Sequence, residues 1–587
     1  MCGIVGVCGQ GNGVPKVVAG LEKSLYRGYD SVGIAVLTPS GIEVRKDVGK
    51  VQDVEQKAGL SALEGNVAIG HNRWATTGKV SKENAHPHLD CTGKIAVVHN
   101  GIIENFETLK AALIAEGHTF ASETDTEVIA HLIEKHAAAG FTGACRAAFA
   151  LLTGRNAFVA LHAGSPILVG ARRGSPLIVG IGHGETFIAS DVPAFLEQTR
   201  DVMYLDDDEM VVIGDRPVFS TPDGRPVEKR VVTIDIDPAQ AEKGSYPYFL
   251  IKEIMEQKDT ISRAINQPDQ ELLAIADRIN RAYGTFFTGC GTAGKVCMAA
   301  EYLFSAIAKK HVNYVVSSEF PSYREFLTPK TLVVAISQSG ETADLLDAVE
   351  AAKKQGAAIF SLVNVEGSSL NRLSDWSFLI NAGPEKAVAS TKATTSQLAL
   401  VTLLAYACAG RLAEGKRLLL DVEEQINDLL NPRYEAHIKK LAIQLKTAKS
   451  IYLIGRGANY PVALEGAIKI MEVARIHAQG FAGGELKHGP LALIFDRTPC
   501  IVFVANDATR DHILSNAMEV KARGGRIIGV SPQNNPVFDD WIRVPDAGDA
   551  SPIVNIIPIQ LLAYYLGILQ GFDPDYCANL SKSITVR

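Results

Sequence analysis

The chain opens with Met1-Cys2-Gly3-Ile4-Val5-Gly6, where a single methionine precedes a cysteine and a short apolar run follows it. Methionine before a small residue is commonly removed, so we expect the mature chain to begin with Cys2. That residue would carry a thiol nucleophile and an α-amine, whose unperturbed pKa of roughly 7.7–8.0 suits a general base at neutral pH. The stretch predicts a domain organised around an N-terminal nucleophile; an ordinary cysteine at position two is the alternative.

Length and composition exclude several broad classes of protein. A chain of 587 residues is too long for one hydrophobic core, which predicts three or four domains. The net charge of -7 argues against general binding to nucleic acid or to anionic membranes. The nine cysteines lack paired spacing, and no basic-then-apolar signal opens the chain. We therefore expect a cytoplasmic protein with neither a nucleic-acid partner nor a membrane partner.

One stretch, residues 552–572, lacks charged side chains and is long enough to span a bilayer. It contains Asn555, Pro558 and Gln560, and no basic clusters flank it. Residues 394–410 form a similar uncharged run. The pair predicts two helices, each buried in its own domain.

Short β-like runs separated by turns dominate the first 240 residues, for example residues 4–7, 67–70 and 95–98. This pattern predicts stacked, mostly antiparallel sheets with helices on their faces. Polar clusters interrupt these strands at positions where loops project functional groups from a scaffold. They are Arg27-Gly28-Tyr29-Asp30-Ser31, His71-Asn72-Arg73-Trp74-Ala75-Thr76, His99-Asn100-Gly101 and Ser122-Glu123-Thr124-Asp125-Thr126. Each cluster by itself is equally consistent with a hydrogen-bonded turn.

Together with Cys2, these clusters resemble the glutaminase domain of the N-terminal-nucleophile glutamine amidotransferases, an αββα sandwich that we assign to residues 2–240. The resemblance implies that Cys2 attacks the side-chain amide of glutamine and forms a γ-glutamyl thioester. It also implies an oxyanion hole and a glutamine site. The oxyanion residues are Asn100 and Gly101; the glutamine-binding residues are Arg73 for the α-carboxylate, Asp125 for the ammonium group, Trp74 near the exit, and Thr76. Thr77 departs from the family, which usually has histidine there, so we expect altered glutamine affinity or gating.

Beyond a polar linker, the chain repeats itself. We assign residues 241–275 to the linker and a connecting helix. Residues 286–292, 333–337 and 350–356 then have counterparts at 452–458, 501–505 and 519–525. Aliphatic strands alternating with amphipathic helices predict two doubly wound parallel sheets. We place the first copy at 276–412, the second with its connecting helices at 413–570, and a tail at 571–587.

The first copy carries hydroxyl-rich loops at the predicted carboxyl ends of its strands, where ligands bind in such sheets. Helix N-termini there favour phosphate, although serine and threonine also cap helices generally. Ser337-Gln338-Ser339-Gly340-Glu341-Thr342, directly after a buried strand, is the more specific signal. Both copies resemble sugar isomerase (SIS) domains. The resemblance implies sugar-phosphate binding in the first copy by Thr292, Ser337, Gln338, Ser339 and Thr342, with Val388 and Ser390 beside the sugar.

The second copy has Asn506-Asp507-Ala508 in place of the phosphate loop, but it carries charged residues on one helix face. Glu465, Lys469 and Glu472 have i, i+4, i+7 spacing, which is also consistent with a solvated stripe of ion pairs. The resemblance gives Glu472 the proton transfer between C2 and C1 of the sugar, supported by Glu465 and Lys469. It gives His488, from a neighbouring subunit, a role in ring opening, and it gives Lys582 a Schiff base with the C2 carbonyl.

The complete chain resembles the isomerizing glutamine–fructose-6-phosphate aminotransferases, also called glucosamine-6-phosphate synthases. The resemblance implies conversion of D-fructose 6-phosphate and L-glutamine to D-glucosamine 6-phosphate and L-glutamate, the first step of hexosamine synthesis. It also implies ammonia channelling and a homodimer or higher homo-oligomer. No cofactor is expected. The pairs His86/His88 and His131/His136 lack a third and fourth ligand in the sequence pattern, so no metal is predicted either.

Two alternatives stay open. Thr77, Ala293 and Ala578 depart from the family pattern, which leaves room for a paralogue that aminates another keto-sugar phosphate. A SIS-type sugar-phosphate sensor is the other alternative. A sensor has no need for Cys2 or Lys582, both of which are present.

Overall fold

The computed structural model describes residues 2–234 and 242–584. The described residues form two compact units. The first unit contains residues 2–234, 242 and 581–584, and the second contains residues 243–580. The finer domain limits given above stay predictions.

The first unit contains two antiparallel sheets. Its strands are β1 (Gly3–Gly9), β2 (Ser31–Thr38), β3 (Gly41–Val48), β4 (Val67–Arg73), β5 (His88–Leu89), β6 (Ile95–Gly101), β7 (Asn156–His162), β8 (Ser165–Arg173), β9 (Ile178–Ile181), β10 (Glu185–Ala189), β11 (Asp201–Tyr204), β12 (Glu209–Ile213), β13 (Pro217–Ser220), β14 (Pro226–Val227) and β15 (Val232–Thr233). Its helices are α1 (Val14–Lys23), α2 (Val51–Ala58), α3 (Phe106–Ala115), α4 (Glu127–Lys135) and α5 (Gly140–Leu151). Short 3₁₀ turns cover Leu25–Arg27, Leu60–Ala62, Ala137–Ala139 and Val192–Ala194.

The two sheets stack face to face. Over the described residues, one has the strand order β15-β11-β9-β10-β1-β4-β2-β3 and the other β14-β13-β12-β8-β7-β6-β5. Alternate side chains of both sheets, such as Ile4 and Val98, form the core between them. The outer face of the second sheet packs on α3, α4 and α5, and α1 lies on the first sheet, where Val17 and Leu21 contact Gly70. The predicted αββα sandwich is confirmed.

The second unit contains two parallel sheets. Its strands are β16 (Gly284–Gly289), β17 (Asn313–Val316), β18 (Thr331–Ser337), β19 (Ala358–Val363), β20 (Trp376–Leu379), β21 (Ser450–Gly455), β22 (His477–Ala482), β23 (Pro499–Phe503), β24 (Arg526–Ser531) and β25 (Asp540–Arg543). Its helices are α6 (Phe249–Met255), α7 (Gln257–Ile265), α8 (Asp269–Arg281), α9 (Gly291–Leu303), α10 (Ala343–Lys354), α11 (Ser369–Leu373), α12 (Lys392–Cys408), α13 (Leu412–Leu429), α14 (Pro432–Leu445), α15 (Asn459–Ala474), α16 (Arg510–Lys521) and α17 (Ser551–Leu569). Shorter turns cover Phe304–Ala308, Ser317–Phe326, Gly483–His488, Pro490–Leu493 and Gly548–Ala550.

The two parallel sheets have equivalent strand orders in the described chain, β17-β16-β18-β19-β20 and β22-β21-β23-β24-β25. Alternate residues of one strand face opposite ways: Val334 packs into the large core that extends through both copies, whereas Val333 packs against α10. Both faces of the central strand β18 are therefore buried, which explains its continuous aliphatic run. The predicted pair of doubly wound SIS domains is confirmed.

The two uncharged runs are the buried helices α12 and α17. Within the described residues, one helical stretch, Gly548–Leu569, is long and apolar enough to cross a membrane, with a mean hydropathy of 1.7. In the apolar 18-residue window of that stretch, 89% is buried inside the structure.

Asp575 connects the end of the second unit to its beginning. Its carboxylate accepts the backbone N–H groups of Phe249 (2.9 Å) and Leu250 (2.8 Å), which begin α6. Its own carbonyl accepts the N–H of Val388 at 3.0 Å. A carboxylate at a helix N-terminus pairs with otherwise unsatisfied N–H groups and with the positive end of the helix dipole.

We predict that Asp575→Ala lowers the free energy of unfolding by about 1–3 kcal/mol, because the buried N–H of Leu250 and the half-buried N–H of Phe249 lose their acceptor. Urea denaturation followed by circular dichroism measures the loss, and hydrogen exchange at Phe249 and Leu250 localises it. Asp277→Ala is the matched control, since the exposed Asp277–Arg281 ion pair contributes at most about 1 kcal/mol. Equal effects of the two variants would contradict the capping role.

Candidate active site

Cys2 lies immediately before β1, which pairs with β4 in the register Gly3↔Asn72. This pairing brings the thiol to the end of β4. The backbone N–H of Trp74 donates to Cys2 Sγ at 3.3 Å, and the thiol donates to the Trp74 carbonyl at 3.4 Å. Burial raises the pKa of the Cys2 thiol above its ordinary value. The thiol is therefore held protonated and needs a base before it can attack.

Two polar side chains bind the backbone carbonyl of Cys2, and two further side chains hold them in place. Its carbonyl accepts from Asn100 Nδ2 at 3.0 Å and from Arg27 Nε at 3.3 Å. Ser190 Oγ accepts from Asn100 Nδ2 at 2.7 Å, and Asp191 forms an ion pair with Arg27 at 2.9 Å. Sequence reasoning missed Ser190 and Asp191, although a polar pair directly after the apolar strand β10 is the same signal that marked the other clusters.

Asn100 and Gly101, the predicted oxyanion residues, lie at the end of β6. Both Nδ2 hydrogens of Asn100 have protein acceptors, so a substrate oxygen reaches this amide only by displacing one of them. Gly101 lines the pocket beside Cys2 with φ of 126°. A Cβ at this position would lie 1.9 Å from the carbonyl oxygen of Arg155, so only glycine fits there.

The stretch Arg27 to Asp30 fixes the end of β4. A Cβ on Gly28 would lie 2.7 Å from the backbone carbon of Arg73, so the absence of a side chain allows the two segments to approach. Asp30 accepts the N–H of Ala75 at 2.8 Å and donates its own N–H to the Arg73 carbonyl at 2.9 Å. Gly28 and Asp30 therefore fix the backbone around Trp74, and the N–H of Trp74 in turn binds the Cys2 thiol.

Arg73 is buried and donates to three backbone carbonyls, those of Thr77 (2.6 Å), Gly78 (3.1 Å) and Lys79 (3.1 Å). Asp125 accepts the N–H of Ile103 at 2.8 Å. The structure brings most of the predicted glutamine-site residues into one pocket, which is lined by Cys2, Arg73, Trp74, Thr76, Thr77, His86, His99, Gly101, Thr124, Asp125 and Thr126. Its free space is about 10 Å³, roughly that of one water molecule.

Four buried histidines, His71, His86, His88 and His99, lie at this pocket, and two of them, His86 and His99, line it. Burial lowers the pKa of His71 to about 3 and lowers the pKa of the other three as well. His71 and His86 stack with ring centroids 3.9 Å apart, and His99 contacts Thr126 Oγ1 at 2.9 Å. The four rings therefore form a neutral cluster that packs against the catalytic loops.

We predict that this unit loses stability as the pH falls. The unfolded chain binds protons at histidine near pH 6.5, whereas the folded cluster does not, so the loss begins below about pH 6.5 and is absent above it. Each histidine contributes up to about 1.4 kcal/mol per pH unit, and for His71 the trend continues toward its pKa of about 3.

The measurement is urea unfolding at pH 7.5 and pH 5, followed by Trp74 fluorescence in a chain with Trp376 and Trp541 replaced by phenylalanine. His71→Asn should show a smaller loss between the two pH values than the parent chain. His183→Asn, at an exposed position, should match the parent. Equal losses in all three chains would contradict the role of the cluster.

The predicted phosphate loops lie at neighbouring strand ends in the second unit, because β16 and β18 pair in parallel. Ser337 Oγ accepts the N–H of Gly340 at 2.9 Å, and Ser339 Oγ accepts the N–H of Glu341 at 3.2 Å. Gln338 and Thr342 are half-buried at the start of α10. Val388 and Ser390 precede α12, and Ser390 Oγ donates to Glu385 at 3.0 Å.

Glu465, Lys469 and Glu472 are not a solvated stripe, so that interpretation is wrong. Lys469 is buried; its Nζ lies 2.7 Å from Glu472 Oε2 and 3.4 Å from Glu465 Oε1. Thr292 Oγ1, from the first copy, donates to Glu465 Oε1 at 3.0 Å. Burial raises the pKa of Glu465 to about 7. The pKa of Lys469 is raised because the two carboxylates outweigh its burial.

Two further predicted catalytic residues of the sugar reaction are His488 and Lys582. His488 is exposed at the end of the turn Gly483–His488. Over the described chain, no hydrogen bond joins it to Glu465, Lys469 or Glu472. Lys582 belongs to the first unit, where its backbone N–H donates to the Tyr26 carbonyl at 3.4 Å.

The expectation of no metal at His131 rested on a lack of further ligands in the sequence pattern, but candidate ligands do surround this residue. The structure brings ligand atoms of Cys91, His118, His131 and Glu134 within 4.8 Å of one another. The sequence pattern missed them because only folding brings Cys91, 40 residues before His131, and His118, in the loop between α3 and α4, onto α4. His136 is not part of this group.

Comparisons with known proteins agree with this geometry. A family model of the glutamine amidotransferase domain matches residues 71–197, and the SIS domain model matches residues 279–407 and 444–569. The chain is 42% identical to the glutamine–fructose-6-phosphate aminotransferase (isomerizing) of Thermococcus kodakarensis over 602 residues, covering 100% of both chains. It is 40% identical to the enzyme of that name from Thermus thermophilus over 610 residues, again covering 100% of both.

The chain belongs to the isomerizing glutamine–fructose-6-phosphate aminotransferase family. Among solved structures, the C-terminal domain of glucosamine-fructose-6-phosphate aminotransferase from Francisella tularensis is 32% identical. It covers 57% of this chain and 99% of its own, with a TM-score of 0.53. Tagatose-6-phosphate ketose/aldose isomerase from Escherichia coli, 19% identical with a TM-score of 0.50 over 56% of this chain and 96% of its own, shares the fold. The family recognised in the sequence is thus confirmed.

Proposed function

We propose that the protein is an enzyme that transfers the amide nitrogen of L-glutamine to D-fructose 6-phosphate, giving D-glucosamine 6-phosphate and L-glutamate. One observation carries the proposal. The chain has a hydrogen-bonded thiol at Cys2. It also contains a Glu465–Lys469–Glu472 charge group that is hydrogen-bonded to Thr292, which lies in a predicted phosphate-binding loop. A glutaminase alone has no use for the second feature, and an isomerase alone has no use for the first.

In the glutaminase reaction, the α-amine of Cys2, free once Met1 is removed, takes the thiol proton. Sγ then attacks the glutamine amide carbon, and ammonia leaves after protonation. Gly101 and Asn100 stabilise the oxyanion, and water hydrolyses the γ-glutamyl thioester to glutamate. Because the pocket holds only about one water molecule, glutamine binding requires Arg73 to exchange the carbonyls of residues 77–79 for the substrate α-carboxylate.

In the sugar reaction, the N-termini of α9 and α10, with Thr292, Ser337, Gln338, Ser339 and Thr342, hold the phosphate. Val388 and Ser390 lie beside the sugar. Lys582 forms an imine with the C2 carbonyl and releases water, and the ammonia displaces the lysine. Glu472 then moves the proton between C1 and C2. The Lys469 ammonium group, whose Nζ lies 2.7 Å from Glu472 Oε2, orients this carboxylate for the transfer.

We also propose that the enzyme works in the cytoplasm as a homodimer or larger homo-oligomer, in which His488 completes the sugar site of a neighbouring subunit. The nine cysteines are all free in the structure, which suits a reducing compartment. His488 is exposed and, over the described chain, has no hydrogen bond to Glu472, which suits a role in a second copy.

The first experiment supplies glutamine labelled with ¹⁵N at the amide, together with fructose 6-phosphate, and identifies the product by mass spectrometry. We expect ¹⁵N-glucosamine 6-phosphate, and Cys2→Ala should abolish it when glutamine is the only nitrogen source. Glutamate release without an amino sugar would contradict fructose 6-phosphate as the acceptor of the nitrogen. Amination of another ketose phosphate in a parallel screen would support the paralogue that Ala293 and Ala578 leave open. Binding of sugar phosphate without turnover would support the sensor.

A second prediction separates the two carboxylates. Glu472→Gln should lower amino-sugar formation about 10²–10⁴-fold, as loss of a general acid–base does, with glutaminase activity retained. Glu465→Gln keeps an acceptor for Thr292 but cannot titrate, so it should lose less rate. Because the pKa of Glu465 is about 7, its replacement should flatten the pH profile of amino-sugar formation near neutrality. Equal losses and identical pH profiles would contradict these assignments.

A further inference from the structure

A cluster of four ligand-type side chains lies in the first unit and has no part in the reaction above. Cys91 lies in the turn between β5 and β6, His118 follows α3, and His131 and Glu134 lie on one face of α4. Among the described residues, no other group of three or more such side chains converges in this way. Cys91 is exposed, His118 and Glu134 are half-buried and His131 is buried, so an ion could enter from solvent.

We propose that Cys91, His118, His131 and Glu134 form a structural zinc site. Tetrahedral zinc, with bonds of about 2.0–2.3 Å to sulfur, nitrogen and oxygen, places its ligand atoms roughly 3.3–3.6 Å apart. Cys91 Sγ lies 3.7 Å from His118 Nδ1 and 3.5 Å from His131 Nδ1. Glu134 Oε2 lies 3.0 Å and 3.2 Å from the same two nitrogens. These four distances are within about 0.3 Å of the spacing that the ion requires, and all the ligand atoms lie within 4.8 Å of one another.

The ligand types select the metal. A thiolate and two imidazoles favour zinc over magnesium or calcium, which prefer oxygen ligands. Four protein ligands leave no open position, which is typical of structural zinc rather than catalytic zinc.

A second layer of contacts orients these ligands, as in zinc sites generally. The backbone N–H of Thr119 donates to Cys91 Sγ at 3.4 Å, and the N–H of Cys91 donates to Glu134 Oε2 at 3.2 Å. The other ring nitrogen of His131, Nε2, lies 3.5 Å from Glu127 Oε1. That carboxylate accepts the N–H groups of Ala121 and Ser122, both at 2.7 Å.

The ion would join three segments: the β5–β6 turn, the loop between α3 and α4 that contains His118, and α4 itself. Helix α4 begins two residues after Asp125, which lines the glutamine pocket. The zinc would therefore brace the segment that carries Asp125 without touching the substrate.

The test uses the full chain without an affinity tag, in a Cys2→Ala background that removes the thiol–amine chelate. Titration with Co²⁺ should give a thiolate-to-cobalt charge-transfer band and the intense visible bands of tetrahedral cobalt, and Zn²⁺ should displace both. Cys91→Ser should lose the charge-transfer band. Glu127→Gln should weaken Zn²⁺ binding about 10–100-fold, as loss of a second-layer partner does.

Matched controls are Cys408→Ser, a half-buried cysteine, and His136→Gln, a histidine adjacent to α4; both should bind Co²⁺ like the background chain. The proposal is overturned if the charge-transfer band persists in Cys91→Ser, or if the background chain takes up no more Co²⁺ than the Cys91→Ser/His118→Gln double variant. Circular dichroism checks folding. If Cys91→Ser unfolds, the background chain decides: absence of tetrahedral cobalt bands there overturns the site.

Discussion

The pairing of β1 with β4 on one side and β10 on the other is the constraint on which the glutaminase site depends. Because Cys2 directly precedes a central strand, its thiol meets the backbone of Trp74 at the end of β4. Its carbonyl meets Asn100 and Arg27, which Ser190 and Asp191 hold from the end of β10. A nucleophile at a free chain end would otherwise lose considerable conformational entropy on ordering. Here two ladders and a buried polar network restrict it before substrate arrives.

The second unit depends on a different constraint, a buried lysine. An unpaired ammonium group is not tolerated in an interior, so Lys469 requires Glu465 and Glu472 beside it. Because Glu465 also accepts from Thr292, this charge group links the second copy of the α/β unit to the phosphate loop of the first. The two copies have diverged in complementary ways: one kept the phosphate loop, and the other supplies the ionisable groups.

Much of this was predictable from sequence, and the exceptions have physical causes. Period-two runs and the internal repeat predicted both fold classes, and the motif clusters predicted most of the lining of the pocket beside Cys2. The stripe on α15 was ambiguous because helical spacing shows which residues share a face, but not whether that face is buried. Ser190 and Asp191 were missed because their role arises only from the pairing of β10 with β1. Cys91 and His118 were missed because their spacing to His131 follows no local motif. Side chains that meet through long-range folding leave no periodic signal in the sequence.

Helix α17 has a consequence for biosynthesis. Its apolar stretch matches the thickness of a bilayer, and a nascent chain exposes such a stretch before it is packed. Its packing partners α14 and α15 precede it in the chain, so the surface that covers it is synthesised first. Domains generally fold in the order of their synthesis. The order of elements along the chain therefore shortens the time during which the segment is available to a translocon or to an aggregating neighbour.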